Sequence, residues 1–239
     1  MKVNTLLTPL NADELYFTKK NTVVIDVLRA TTTIVTALQN GAKEIIPVGS
    51  VEFAMQVSGN AFSGHTLLGG ERNTLKIDGF ALGNSPLEYV PNIVKGKSIV
   101  LFTTNGSKAI VKARFSTNLF VLSFLNVQAA AQKIISLNED VEILCSGNSG
   151  KFSFEDSACA GMLISLIIDL KENIELNDSS KVSKLIYDKN KNNLEKMLSE
   201  TEHGQKLISA GFREDIKFAA QENKFDIVPT CNSGLIKIN

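Results

Sequence analysis

Thr22-Val23-Val24-Ile25-Asp26-Val27-Leu28-Arg29-Ala30-Thr31-Thr32-Thr33 is the stretch on which the fold class turns. Its first half is a continuous run of β-branched, mostly apolar residues, the pattern of a strand buried on both faces. It ends in a carboxylate, passes through a short loop carrying a guanidinium, and enters a helical pattern over 32–39 that Gly41 stops. The same unit recurs along the chain. Strands are expected over 22–27, 43–48, 65–68, 98–102, 118–123 and 141–144, with helices over 32–39, 51–57, 107–114, 127–137 and 156–170 between them. That alternation predicts an α/β fold, three-layer α/β/α, with a mostly parallel or mixed central sheet.

Ser85-Pro86-Leu87-Glu88 carries the residues of a helix start, and Ser153-Phe154-Glu155-Asp156 a weaker version. A helix over 215–221 and a short strand over 225–228 are expected to close the fold. The segment 172–202, rich in Lys, Asn, Asp and Ser, reads as a peripheral helical excursion on a single domain spanning 1–239.

Composition narrows the function. Apolar residues make up 44% and charged residues 21%, and 25 Lys and Arg balance 25 Asp and Glu. Such a chain lacks the positive excess that phosphate neutralisation on nucleic acid demands, so no nucleic-acid partner is expected. The longest apolar run, 162–168, is far below the roughly 20 residues of a membrane span. No secretory signal is visible, and the cytoplasm is the expected location. Three cysteines without zinc-like spacing argue against a disulfide scaffold or a Cys/His zinc site.

In open parallel sheets ligands bind beyond the carboxyl ends of strands, where helix N-termini present free N–H groups. Polar residues collect at those places: Asp26 to Thr33, Gly69 to Asn73, Gly83-Asn84-Ser85, Thr103 to Ser107, and Ser146 to Lys151 followed by Glu155-Asp156. Taken singly, each has a plain explanation as a cap or turn. Together they predict one anion-binding rim. Arg29 and Arg72 are the expected forked donors. Thr31, Asn84, Ser85, Thr103, Thr104, Asn105, Gly106, Ser146 and Gly147 are the expected substrate-binding positions. Asp26, Glu71, Glu155 and Asp156 form the pool of hard oxygen ligands suited to Mg²⁺.

Familiar phosphate motifs fail. No G-x-G-x-x-G follows the first strand, and the P-loop pattern is broken at Cys145 and Phe152. Cys145 and Lys151 have the spacing of a cysteine phosphatase loop, but lysine lacks the arginine fork. His65 and His203 have no catalytic partner nearby in sequence and are read as surface or core residues.

Beside that reading stands a resemblance. The runs 24–32, Gly70-Glu71-Arg72, 79–86, 103–107 and 150–156 resemble, in order and spacing, the 2-phosphosulfolactate phosphatase family. His203-Gly204, Gly211-Phe212 and Asp215 are similar to its C-terminal segment. The resemblance implies a Mg²⁺-dependent phosphatase that converts (2R)-phospho-3-sulfolactate to 3-sulfolactate and phosphate in coenzyme M biosynthesis. Asp26, Arg29, Glu71 and Arg72 are then the expected catalytic residues, and the nucleophile is water, Asp26 or Cys145. Another small phosphorylated hydroxy-acid is the alternative substrate, a non-catalytic phosphate-ester binder the alternative function, and a homodimer is compatible with the fold.

Overall fold

The computed structural model describes residues 1–61 and 65–238. Its strands are β1 (Lys2–Leu6), β2 (Asn21–Ile25), β3 (Glu44–Val48), β4 (Thr66–Arg72), β5 (Leu75–Lys76), β6 (Ser98–Phe102), β7 (Asn118–Leu122), β8 (Val141–Cys145), β9 (Glu175–Leu176), β10 (Thr230–Asn232) and β11 (Leu235–Lys237). Its helices are α1 (Ala30–Gln39), α2 (Val51–Ala61), α3 (Pro91–Val94), α4 (Gly106–Lys112), α5 (Val127–Leu137), α6 (Phe154–Leu170), α7 (Asp178–Asn190), α8 (Leu194–Glu200), α9 (Glu202–Ser209) and α10 (Arg213–Ala219).

The strands form one mixed, mostly parallel sheet in the order β5-β4-β6-β3-β11-β10-β7-β2-β8-β1-β9. β4, β6 and β3 make one parallel block. β7, β2, β8, β1 and β9 make another. Between them sits the antiparallel hairpin β10–β11, joined by single pairs, Thr230 to Phe120 and Ile236 to Ile45. Three antiparallel steps separate β3 from β7, so the two blocks run in opposite senses.

The core is an α/β arrangement in helix–sheet–helix layers. Val23, Ile25, Phe120 and Ile143 pack with residues of α5 and α6 on one side of the larger block. Val24, Val121 and Leu144 face the other way and share a core with Ile34 and Ala37 of α1, Ala109 and Ile110 of α4, and Ile45, Ile99 and Leu101 of the smaller block. Helices α1 and α4 are therefore held between the blocks. On the far side of the smaller block, Val48, Val100 and Phe102 pack with Ala54 of α2. Sheet twist of roughly 20–25° per strand accumulates to about 100° or more over the five steps from β2 to β6. That rotation brings the carboxyl ends of the opposed blocks to a common place.

The six strands expected between residues 22 and 144 appear, and the boundaries move by a residue or a few. β1 was not anticipated because it alternates exposure, with only Val3 and Thr5 buried. The strand expected over 225–228 does not form, since that run is extended but unpaired in the sheet. Its place is taken by the hairpin, whose turn uses Ser233 and Gly234 at φ 49° and 79°, the left-handed geometry that a two-residue hairpin turn needs. Ser85 does not cap a helix: a single 3₁₀ turn follows at Pro86–Glu88. The segment 172–202 contributes an edge strand and two helices, and α7 lies on α6 so closely that a Cβ on Gly161 would sit 2.1 Å from the Ser183 carbonyl oxygen.

Candidate active site

Asp26 follows β2 directly, and its position is set by the start of α1. Its Oδ1 accepts from the Ala30 amide at 3.2 Å. Thr31 Oγ1 accepts from the Asp26 amide at 3.0 Å and donates to the Asp26 carbonyl at 2.8 Å. Thr31 is wholly buried and engaged with the turn that holds Asp26. Gly106, the first residue of α4, stands against the other oxygen: a Cβ there would lie 2.5 Å from Asp26 Oδ2. Gly106 is the small residue that lets a helix from one block approach a strand end of the other.

Asp156, from the first turn of α6, lies behind Asp26. Its Oδ1 accepts from the Val27 amide at 2.9 Å, and its Oδ2 accepts from Ser146 Oγ and the Gly147 amide, both at 3.1 Å. Ser146 and Gly147 are thus turned toward Asp156. Glu71, at the end of β4, receives the Thr104 amide on Oε1 at 2.7 Å and the Thr74 amide on Oε2 at 2.8 Å. Thr103 is tied to Ser107 in both directions, by its amide and by its hydroxyl.

Arg29 is almost completely buried. Its Nη1 donates to Asp215 Oδ2 at 2.8 Å, its Nη2 to the Thr74 carbonyl at 2.8 Å, and its guanidinium lies 4.2 Å from the Phe212 ring centre. Ser85 Oγ donates to the other Asp215 oxygen at 2.7 Å. Two of the five guanidinium N–H donors are used.

These groups border a small cavity of about 10 Å³ lined by Asp26, Arg29, Glu71, Thr74, Asn84, Thr103, Asn105 and His203. That is near the space of one water. Asn84 is 5% exposed, and its Oδ1 has no hydrogen-bond partner among the described residues. A buried polar atom left unpaired on a cavity marks a place for a ligand. The cavity adjoins a cleft of about 640 Å³ bordered by Glu71, Thr104, Asn105, Asn148, His203 and Lys206. On the other side of His203 is a second cleft of about 430 Å³, bordered by Phe152, Phe154, Glu155, Glu200 and Glu202.

Burial and mutual repulsion shape the titration here. Burial first, then the charges of Glu71 and Glu155, raise Asp26 to about 7 against the hydrogen bond from Ala30. Burial and the charge of Asp26 push Asp156 well above the usual carboxylate range. Burial raises Glu155. His203 is lowered to about 4 by burial and by the charge of Arg29, so its imidazole is neutral at pH 7. Burial and Asp156 raise the Cys145 thiol, which disfavours the thiolate a nucleophile needs.

Of the expected site residues, Asp26, Arg29, Glu71, Asn84, Thr103 and Asn105 meet at the cavity. Asp156, Ser146, Gly147, Ser85, Thr31 and Gly106 lie around it and hold the others. Glu155 borders the second cleft. Arg72 does not join them: it is exposed, next to inward-pointing Glu71 on β4, and its charge acts on Glu52. Successive strand residues face opposite sides, and two neighbours cannot both reach one cavity.

Four contributors are absent from the expected site residues. Thr74 enters from the turn after β4, and His203, Phe212 and Asp215 come from α9 and the start of α10, with Asp215 186 residues from its partner Arg29. The resemblance includes the last three in its C-terminal segment without giving them a role, and local sequence does not separate them from solvated helix positions.

Asp26 Oδ2, Glu71 and the orphaned Asn84 Oδ1 are hard oxygens, the chemistry Mg²⁺ prefers. Among the described residues no three His, Cys, Asp or Glu side chains converge as a metal cage. An ion held here would take one or two carboxylates and complete its shell with water and phosphate oxygens, a manner of binding open to Mg²⁺.

A family model described as 2-phosphosulpholactate phosphatase matches residues 7–234. A probable 2-phosphosulfolactate phosphatase of Caldanaerobacter subterraneus is 46% identical over 92% of this chain and 90% of its own. Proteins of the same name from Clostridium beijerinckii and Clostridium tetani are 37% and 38% identical, each over 99% of this chain, and over 99% and 100% of their own.

Proposed function

Because the chain belongs to the 2-phosphosulfolactate phosphatase family, we propose that it hydrolyses (2R)-phospho-3-sulfolactate to 3-sulfolactate and phosphate with Mg²⁺, a step of coenzyme M biosynthesis. The observation that carries this reading is the small cavity in which Asp26, held near neutrality, faces the unpaired Asn84 amide beside Arg29.

The cavity has room for one water, and the 640 Å³ cleft beside it takes the ester. Asp26 accepts a proton from the attacking water at Oδ2; a base near the working pH is the most effective kind. The new bond joins water oxygen to phosphorus, the bond from phosphorus to the ester oxygen breaks, and that oxygen takes up the proton Asp26 received, leaving as the hydroxyl of the acid and returning Asp26 to the carboxylate. Arg29 directs its unused N–H donors toward the phosphoryl oxygens, held in place by Asp215 and stacked on Phe212. Glu71 and Asn84 Oδ1 are the groups that would hold Mg²⁺, leaving Asp26 Oδ2 free for the proton; the ion when bound would offset charge on the transferring phosphoryl group. Asp156 fixes Val27, Ser146 and Gly147 around Asp26.

The test is phosphate release from 2-phospho-3-sulfolactate by wild type and by Asp26→Asn, with Mg²⁺ and with EDTA, alongside circular dichroism to verify folding. Turnover is expected only in wild type with Mg²⁺. A folded Asp26→Asn protein that turns over at the wild-type rate would refute the assignment.

A further inference from the structure

We propose that Lys206, on α9, seats the second acidic group of the substrate and thereby sets the preference of this site for multiply charged esters; this rests on the phosphatase reading above. Two clefts meet the small cavity at His203, and their charges differ. The first is bordered by one carboxylate, Glu71, and one ammonium, Lys206, among neutral donors such as Asn105 and Asn148. The second is bordered by Glu155, Glu200 and Glu202, with no lysine or arginine among the described residues that line it. An ester with its phosphate beside Asp26 must extend the rest of its body into one of them. Glu200 and Glu202 pair with Lys196 at 3.9 Å and with Lys206 at 2.7 Å, but those ammonium groups do not border the second cleft, so a sulfonate or carboxylate is favoured in the first.

Helix α9 is built to present that cation. His203, Lys206 and Ala210 follow one another at helical spacing along the cleft wall. Thr201 caps the helix, accepting from the Gly204 amide at 3.0 Å. Gly204 is packed so tightly that a Cβ would lie 1.9 Å from the Leu198 carbonyl, so α9 is seated directly on α8. Lys206 itself pairs with Glu202 at 2.7 Å, but both side chains are more than half exposed. Such a pair is weak and readily exchanged for a better-placed anion.

The experiment compares kcat/KM of the full chain with Mg²⁺ for 2-phospho-3-sulfolactate and for glycerol 2-phosphate, which carries no acid group. In Lys206→Met the ratio of the two is expected to fall at least tenfold, through KM for the acidic ester, and Lys206→Arg is expected to restore most of it. An unchanged ratio, or an equal loss on both esters confined to kcat, overturns the proposal. Calorimetric binding of 3-sulfolactate reads the same contact without turnover: about tenfold weaker binding by Lys206→Met supports it, and equal affinity overturns it. Absence of phosphate release from either ester by wild type would instead defeat the phosphatase reading, leaving calorimetry to decide on Lys206.

Discussion

Removing Asp215 should unfold the site before it touches the chemistry. Arg29 and Asp215 have side chains 2% and 3% exposed and meet at 2.8 Å. In Asp215→Ala the guanidinium stays buried with only the Thr74 carbonyl and the Phe212 ring as partners, and Ser85 loses its acceptor. An uncompensated buried charge of this kind costs about 3–5 kcal/mol. For a chain of this size that corresponds to a fall in melting temperature of roughly 10 °C. The stronger check is a double-mutant cycle with Arg29→Met and Asp215→Leu, followed by urea unfolding. Each single change leaves one buried charge alone, whereas the double variant leaves neither, so it should be more stable than the sum of the two losses by at least about 2 kcal/mol. A cost below about 1 kcal/mol for Asp215→Ala, or strict additivity in the cycle, would show that the pair is not the desolvated interaction described.

Asp26 is raised from 3.8 to about 7, so between those values the folded chain binds a proton that the unfolded chain does not. This contribution to stability is complete below about pH 4 and is lost as pH rises through about 7. Asp26→Asn should therefore gain stability relative to wild type between pH 5 and pH 8; urea midpoints that differ equally at both pH values contradict this. Asn84→Leu removes an unpaired buried amide oxygen and should stabilise the ligand-free protein by about 1 kcal/mol while lowering turnover, as read by thermal melts and phosphate release. Gly106→Ala places a methyl 2.5 Å from both Asp26 Oδ2 and Ala30 Cβ, so a stability loss of about 1–3 kcal/mol is expected together with a far larger drop in rate. A rate within twofold of wild type would show that Asp26 does not need its present position.

The larger strands were legible because burial on both faces leaves no polar alternation to confuse them: β2, β6 and β8 are buried throughout. β1 and the hairpin were not, since an alternating five-residue strand and three-residue strands carry little periodic signal. The expected convergence of strand ends rested on a parallel sheet. The blocks in fact oppose one another, and twist around α1 and α4 brings their ends together. For the site, residue type was informative and direction was not. Glu71 and Arg72 looked alike as neighbours in a polar run, yet strand pleat sends them to opposite sides. Ser146, Gly147 and Ser85 read as ligand donors but satisfy Asp156 and Asp215, whose own demands are invisible until the chain is folded. His203 reads from sequence as a surface or core residue because Arg29 and Glu71, which line the same cavity, lie in distant segments.

The hairpin of residues 230–237 has a consequence for synthesis. It is the bridge between the two blocks, and it follows every other strand in chain order. On the ribosome, β3 and β7 must wait as open edges until these residues emerge from the exit tunnel. Such edges invite pairing with other nascent chains. The partly built protein is thus exposed to aggregation until this region has been translated and has left the tunnel, and slow codons there would lengthen that exposure.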